Sequence, residues 1–270
     1  MEIQLEGKSF DTYSNWMKSV KCINEEITLT LDENSVQVIG MDPSHVAMID
    51  ARIAGNVFKS YNVKPIEGDK EVYSLNVGEY LKFLDRLDSK QKVTLASDVE
   101  RAKLTLKGDL KGRTRRFDLP LLEPLDEEVP SPKIKFHGTV KMPLSALYEA
   151  TKDASLVSEH VVFKATEDSL TVTGSGDNGD AFSEWSKDSE EILSYKVDED
   201  TLGTYTLSYI MDILNAMKSL ADVATISTST DMPIKIEAHG PKVENEDPLV
   251  VKDPQNLWDL VYYLAPCIGV

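Results

Sequence analysis

The side chains best suited to chemistry form no recognised catalytic or metal-binding pattern. The segment 173–180, T-G-S-G-D-N-G-D, lacks the lysine and spacing of a phosphate-binding loop and the closing glutamate of an EF-hand. Cys22 and Cys267 form no Cys-x-x-Cys motif, and no G-x-S-x-G nucleophile motif occurs. No histidine pair has His-x-x-x-His spacing; the four are His45, His137, His160 and His239. We therefore expect no enzyme activity, metal ion or cofactor, and we interpret 173–180 as a tight turn between two strands.

The charge balance limits where nucleic acid could bind. The 270 residues include 46 acidic and 29 basic ones, for a formal net charge of 29 − 46 = −17. Most of the surface should repel nucleic acid, so any DNA contact must be local, where bases gather on one face. We expect no signal peptide and no membrane span, because no stretch approaches ~18 consecutive apolar residues. The low cysteine count favours a reducing compartment.

The helices and strands that would position the functional side chains are repeated along the sequence. Segments 25–40 and 159–174 align at an offset of 159 − 25 = 134, and both read as strand, acidic turn, strand. A second match, at 205 − 73 = 132, relates 73–108 to 205–240. A third, at 265 − 119 = 146, relates Leu119-Pro120 to Ala265-Pro266. The difference, 146 − 132 = 14, predicts a 14-residue insertion in the second copy, near 241–256.

Each copy also carries two amphipathic helical patterns. They cover residues 10–20 and 77–84 in the first copy, and about 143–154 and about 207–220 in the second. The fold class is therefore α+β: two tandem copies of a β-α-β-β-β-α-β-β-β half with mostly antiparallel strands. We expect domains at 1–118 and 134–270, joined by a linker at 119–133.

The linker is rich in proline and leucine. Four prolines between residues 119 and 132 cannot continue a helix or a central strand, so we expect an extended connection over the surface. Its leucines either lie on the sheet beneath or form part of a docking surface.

Four short motifs carry a resemblance to a known family. Residues 41–46 read M-D-P-S-H-V and residues 262–266 read Y-Y-L-A-P, while V-K-M-P at 140–143 opens the second copy and I-N-E at 23–25 follows the first helix. In this order and spacing they resemble the DNA sliding clamps of the proliferating cell nuclear antigen family, and the linker resembles that of archaeal members. The resemblance spans the chain apart from 241–256. It implies a ring of three two-domain subunits, with helices lining the hole and sheets outside.

The resemblance also implies how subunits meet: an edge strand of the first domain pairs with an edge strand of the second domain in the neighbour. The matching segments are 113–119 and 180–187, and their opposite charges and alternating aromatic residues suit antiparallel pairing. The alternative is that the arginines form a solvated hairpin edge or a nucleic-acid patch. The interface candidates are Arg113, Arg115, Phe117, Asp180, Phe182 and Glu184.

By resemblance, lysines and arginines on the hole-facing helices would contact phosphates without reading sequence. Acidic residues share these helices, so we expect a moderately positive channel, and each lysine alone could be a solvated helix face. The candidates are Lys18, Lys21, Lys82, Arg86, Lys141, Lys152 and Lys218.

Partners of the family insert a short helical turn with apolar and aromatic side chains into a pocket below the linker. Met41 and Val46 also fit strand packing, and either 129–130 or 131–132 could fill the linker position. The matching residues are Met41, His45, Val46, Leu125, Val129, Pro233, Tyr263, Ala265 and Pro266.

The resemblance thus implies a clamp subunit that encircles duplex DNA and tethers DNA polymerase, the clamp loader and other replication and repair proteins. Two alternatives stay open: a specialised subunit of a hetero-trimer, and an interaction module of the same fold that does not load on DNA. We expect a cytoplasmic, nucleoid-associated protein, or a nuclear one in a eukaryote.

Overall fold

The computed structural model describes residues 1–64, 70–98, 101–124, 129, 132–242 and 256–269. The chain forms two compact units. The first comprises Met1–Gly40, Asp50–Val129 and His239–Asp259, and the second comprises Met41–Ile49, Pro130–Ala238 and Leu260–Val270. Each unit thus includes a short segment from the other half of the sequence, and the domain boundaries at 118 and 134 remain a proposal.

The first half of the chain contains two helices and nine strands among its described residues. They are β1 (Glu2–Leu5), α1 (Lys8–Lys21), β2 (Glu26–Leu31), β3 (Ser35–Met41), β4 (Ala47–Ala54), a 3-10 turn (Gly55–Val57), β5 (Ser60–Asn62), β6 (Glu71–Asn76), α2 (Val77–Leu84), β7 (Lys92–Asp98), β8 (Lys103–Leu110) and β9 (Arg113–Pro120). One sheet has the order β5-β1-β7-β8-β9, with antiparallel pairs throughout. The strands β4-β3-β2-β6 are neighbours in that order as part of a larger sheet, and β2 pairs antiparallel with β3 and β6.

The second half repeats this series. Its elements are β10 (Gly138–Pro143), α3 (Leu144–Ala154), β11 (His160–Ala165), β12 (Ser169–Gly176), β13 (Gly179–Ser186), β14 (Ser194–Val197), β15 (Thr201–Thr206), α4 (Leu207–Met217), β16 (Val223–Thr228), β17 (Ile234–His239) and β18 (Trp258–Leu264). One sheet has the order β13-β12-β11-β15, and the strands β14-β10-β16-β17-β18 are neighbours in that order as part of a larger sheet. The expected α+β fold of two similar halves is confirmed, with five strands between the helices of each half.

Helix packing follows the apolar stripes read from the sequence. On α1, Tyr13, Trp16 and Met17 are buried, and the Tyr13 hydroxyl lies 2.9 Å from the hydroxyl of Tyr80 on α2. In the second half, α3 approaches β12 so closely that a Cβ at Gly174 would lie 3.0 Å from the α3 backbone. Glycine there lets the helix reach the sheet and cover its core.

The linker begins as part of the first half. Leu119 is buried in β9, and the N–H of Leu122 donates to the carbonyl of Ser74 in β6 at 2.8 Å. Leu119 is therefore packed in the first-half sheet, as the first of the two interpretations predicted, whereas the side chain of Leu122 is 37% exposed although its backbone is bonded to β6. The insertion at 241–256 lies between β17 and β18; Lys242 pairs with Asn256, and residues 243–255 lie outside the described residues.

Candidate functional site

A turn between β3 and β4 is organised by a buried carboxylate. Asp42 is only 4% exposed, and its Oδ1 accepts hydrogen bonds from the N–H groups of Val46 at 2.7 Å and Ala47 at 2.6 Å. Its Oδ2 accepts from the N–H of Ser44 at 3.0 Å and from the hydroxyl of Tyr209, on α4, at 2.9 Å. Four donors on one carboxylate hold the turn in a single shape.

The same donors set the charge of Asp42. Burial disfavours the carboxylate, but the Ala47 N–H, the Tyr209 hydroxyl and two further N–H groups outweigh it, so the pKa of Asp42 lies below its usual value. The pKa of Tyr209 is raised because its hydroxyl donates to this carboxylate. The turn therefore contains a permanent negative charge at neutral pH.

His45 stands at the tip of this turn. Its φ is 57°, a left-handed conformation that is uncommon for a residue with a Cβ, and its N–H donates to the Asp42 carbonyl at 2.9 Å. Its side chain is exposed, so the strained backbone presents the ring to solvent. The Asp42 carboxylate stabilises this conformation, because it accepts hydrogen bonds from the N–H groups of Ser44 and Val46 on either side of His45.

Within the second unit, the segment after β18 meets this turn directly, and both that segment and residues 232–233 are bonded to β15. The N–H of Ala265, just after β18, donates to the Val46 carbonyl at 2.9 Å, and Cys267 donates to Thr204 of β15 at 2.8 Å. The Tyr205 hydroxyl donates to the Met232 carbonyl at 2.8 Å, which brings 232–233 to the same strand. The structure thus gathers the predicted pocket residues Met41, His45, Val46, Pro233, Tyr263, Ala265 and Pro266 in one unit.

All of these pocket residues except exposed His45 are half-buried, as the walls of a shallow apolar site would be. Val129 falls in the first unit, and Leu125 lies outside the described residues. Asp42 and Tyr209, which fix the turn, were missed. The Asp-Pro-Ser-His string is a turn signal that could have identified Asp42, whereas nothing in the sequence links Tyr209 to it.

The predicted cations of the first half lie on or next to α1 and α2, and most have acidic neighbours. Lys18 is 2.9 Å from Asp85, Lys21 is 3.8 Å from Glu25, and Lys82 is 2.6 Å from Glu79. Arg86 follows α2 and is exposed. Tyr13 and Ser14 of α1 are buried, so they are not part of this surface.

The second half offers three cations in different settings. Lys152 on α3 lies 3.7 Å from Glu149, and Lys141 is exposed on β10. Lys218, which ends α4, places its ammonium 2.8 Å from the centre of the Tyr148 ring.

The predicted interface strands are both edge strands: β9 ends one sheet and β13 ends another. On β9, Gly108 pairs with Arg115 and Leu106 with Phe117. That face lies under α2, because the ring of Phe117 contacts Phe83 and the Arg115 guanidinium donates to the Arg86 carbonyl at 2.6 Å. Arg113 lies on this helix-facing side too, since side chains alternate along a strand.

On β13 the candidates point the other way. Val172 and Gly174 of β12 face α3 and pair with Ser183 and Ala181, so Asp180, Phe182 and Glu184 lie on the face away from the helices. The arginines at 113 and 115 thus lie on the helix-facing side of their sheet, whereas the acidic residues of β13 lie on the opposite side of theirs. The charge match that we expected would have to join side chains on opposite faces. Among the basic residues of β9, Arg116 is the one on the outward face.

Between β12 and β13 the chain makes a two-residue turn, as expected for segment 173–180. Within the described ranges, no three His, Cys, Asp or Glu side chains converge as a metal site would require. Those ranges also include no helix long and apolar enough to cross a membrane.

Comparison with known proteins gives one consistent result. Residues 131–244 match the family model described as proliferating cell nuclear antigen, C-terminal domain. The chain is 30% identical over 218 residues to a DNA polymerase sliding clamp of Methanococcus vannielii, covering 79% of this chain and 84% of that protein. The fold is similar to that of PCNA from Thermococcus kodakaraensis, with a TM-score of 0.81 and 22% identity over 98% of this chain and 99% of that one. It is also similar to a chain of a PCNA2–PCNA3 complex from Sulfolobus tokodaii, with a TM-score of 0.80 and 20% identity over 98% and 99%.

Proposed function

The chain belongs to the DNA polymerase sliding clamp family, and we propose that three copies close into a ring around duplex DNA and tether DNA polymerase to it. The feature that supports the ring most directly is the pair of exposed edge strands, β9 in one half and β13 in the other. An unpaired strand edge is a liability that closure removes, and two different edges on one chain suit head-to-tail assembly.

The free backbone groups of these strands agree with such pairing. Each strand follows a two-residue turn. In a hairpin with such a turn, the two residues that flank it form a hydrogen-bonded pair; these are Leu110 with Arg113 and Gly176 with Gly179. Because hydrogen bonding alternates along a strand, the even-numbered residues of both strands point their N–H and C=O groups away from the hairpin, towards the free edge of the sheet. In a subunit contact, the residues that exchange hydrogen bonds are therefore 114, 116 and 118 with 180, 182, 184 and 186.

Charge selects among the possible registers. Setting Arg116 opposite Glu184 also sets Thr114 opposite Ser186, and it pairs seven residues of each strand. A shift by two residues would place Asp118 opposite Asp180, and like charges directly opposite destabilise a sheet. We therefore place Arg116 beside Glu184 of the next subunit, with Arg113, Arg115 and Phe117 beneath them on the helix-facing side.

Charge reversal tests this contact. Arg116→Glu and Glu184→Arg should each lower the fraction of trimer measured by analytical ultracentrifugation, and the double variant should restore it. Lys107→Glu is the control, because Lys107 pairs with Arg116 across β8 and β9 but lies one strand away from the edge. If the double variant dissociates as readily as the single ones, or if the control dissociates equally, the pairing is wrong.

We place DNA against the helices of both halves. Lys18, Lys21, Lys82 and Lys152 each have a carboxylate within 4 Å, so much of their charge is compensated locally. Weak, sequence-independent phosphate contacts suit a ring that must slide. The test is DNA synthesis on primed circular DNA with a clamp loader. Longer products on addition of this chain support a working clamp, and unchanged products with an intact trimer would refute it.

Partners are proposed to dock at the turn of Asp42 and the adjacent segments. The occupant is a short apolar and aromatic motif, carried by DNA polymerase, the clamp loader and other replication or repair proteins. Val46→Glu should abolish binding of a peptide of that type while the ring stays trimeric. Ile39→Glu is the control, because it puts the same charge on another apolar residue at the surface, 36% exposed, which lies on β3 in the other unit.

The domain division at 1–118, 119–133 and 134–270 belongs to the same proposal, as does an intracellular location where the DNA is. The ring is proposed as a homotrimer, because β9 and β13 of this chain already supply both partners of the contact.

A further inference from the structure

Lys218 and Tyr148 form a contact that neither the fold nor the docking site requires. Lys218 ends α4, Tyr148 lies on the neighbouring α3, and the ammonium is 2.8 Å from the ring centre. Both are in the second unit. Lys218 is exposed and Tyr148 is half-buried, so the pair lies at the surface of the helix layer. A cation over an aromatic face is stabilised by the ring quadrupole.

This setting differs from that of the other lysines proposed to face DNA. The four paired ones have a carboxylate within 4 Å, which cancels their charge towards a phosphate. Lys218 has an aromatic ring in that position instead. The ring holds the ammonium without neutralising it, so among these helix lysines Lys218 is the one that contacts a ring and has no ion pair among the described residues.

Neighbouring groups show why the ring matters. Glu149 follows Tyr148 in the sequence and lies 3.7 Å from Lys152. Desolvation lowers the pKa of Lys218, while the nearby Glu149 opposes that shift and Lys152 adds to it. Without the ring, the flexible side chain of Lys218 could turn towards Glu149 and form the kind of ion pair that compensates the other lysines.

The tyrosine also carries a donor. Within the described ranges, no hydrogen bond is made by the Tyr148 hydroxyl, which belongs to a partly exposed side chain in contact with Lys218. Phenolic hydroxyls are among the common donors to DNA phosphates.

We propose that Tyr148 is a DNA-binding residue of this chain, with a positioning role and a contact role. Its ring holds Lys218 against phosphate, and its hydroxyl donates to the same backbone. This inference rests on the proposed function, since it assumes that these helices face duplex DNA.

Binding of the intact trimer to a short fluorescent duplex at several salt concentrations tests the proposal. Tyr148→Leu and Lys218→Gln should weaken binding by similar factors, about three- to tenfold at low salt, and the double variant should be little worse than either one. Tyr148→Phe keeps the ring and should lose less. Lys152→Gln removes a compensated lysine and should also lose less, while Lys196→Gln on β14 controls for charge alone.

A second readout does not depend on DNA. The ε-methylene of Lys218 should show an upfield ring-current shift in NMR spectra of the wild-type chain and of Tyr148→Phe, and the shift should vanish in Tyr148→Leu. Unchanged duplex binding in Tyr148→Leu, or additive losses in the double variant, would overturn the inference even though the wild type binds DNA. A wild-type trimer that shows the ring-current shift but binds no duplex would instead overturn the proposed function, and this inference with it.

Discussion

Replacing Asp42 with asparagine tests how the docking turn is held. The oxygen that faces Val46 and Ala47 can stay in place, but its two bonds lose the charge that strengthens them, at a cost of about 1 kcal/mol each. The second oxygen becomes an NH₂ group facing the N–H of Ser44, so that bond is lost as well, at a further cost of about 1–2 kcal/mol. Tyr209 can rotate its hydroxyl to accept from the new donor. The turn should therefore be destabilised by about 3–4 kcal/mol.

Amide hydrogen exchange measures this loss where it occurs. Since about 1.4 kcal/mol corresponds to a factor of ten, the amides of Ser44, Val46 and Ala47 should exchange on the order of a few hundredfold faster in Asp42→Asn. Amides of β11 in the same unit should not change. Asp168→Asn is the matched control, because Asp168 is an exposed partner of Lys187 and its loss should have little effect. Unchanged exchange at the turn, or faster exchange throughout the unit, would refute the reasoning.

Acid should reproduce the effect in the wild type. Because folding lowers the pKa of Asp42 from its ordinary 3.8, its stabilising contribution is complete above that value and is lost as the pH falls through the folded-state pKa. Exchange at the turn, corrected for intrinsic rates, should accelerate in that acid range. The Asp42→Asn variant has no group to protonate and should show no such step.

Three further predictions follow from single contacts. Tyr13→Phe should lower the stability of the first unit by about 1–2 kcal/mol by leaving the fully buried Tyr80 hydroxyl without its partner, whereas the double Phe variant should be nearly neutral; urea unfolding checks both. His45→Gly should relieve the left-handed backbone and leave thermal stability within about 1 kcal/mol of wild type, yet weaken peptide docking in calorimetry because the exposed ring is gone. Gly174→Ala should force α3 away from β12 and lower the melting temperature by an amount equivalent to about 1–3 kcal/mol, while Gly40→Ala, with open space around its Cβ, should not.

The fold was predictable from the sequence because the apolar periodicity within each segment and the repetition between the two halves predict the same helices and strands. The offset of 134 aligned β2 and β3 with β11 and β12, and all four strands lie where the alternation placed them. The helical stripe expected at about 143–154 corresponds to α3 at Leu144–Ala154. The stripe expected at about 207–220 ends earlier, at Met217, because Lys218 caps α4 and Leu220 closes a turn back to Met217. Boundaries depend on local capping, which apolar spacing does not encode.

The site was less predictable, because its key contacts join residues far apart in the sequence. Asp42 and Tyr209 are separated by 167 positions, and the bond between them depends on how α4 packs in its unit. The Tyr148–Lys218 contact has the same origin, since it joins two helices of one layer. The family resemblance identified the lysines as candidates, but only the side-chain neighbours distinguish a lysine in an ion pair from one held over a ring.

The interface strands show what alternation alone leaves undetermined. Because side chains alternate along β9, Arg113, Arg115 and Phe117 share one face and Arg116 lies on the other. The alternation does not say which of the two faces is turned to the helices. That assignment follows from the pairing with β8, which puts Arg115 opposite Gly108 beneath α2. Charge complementarity between two strands is meaningful only among residues on the same face, because directly opposite side chains share a face. The acidic residues of β13 lie on the face away from the helices, so Arg116 is the arginine of β9 that is placed to pair with them. The three arginines of β9 do not form one basic patch.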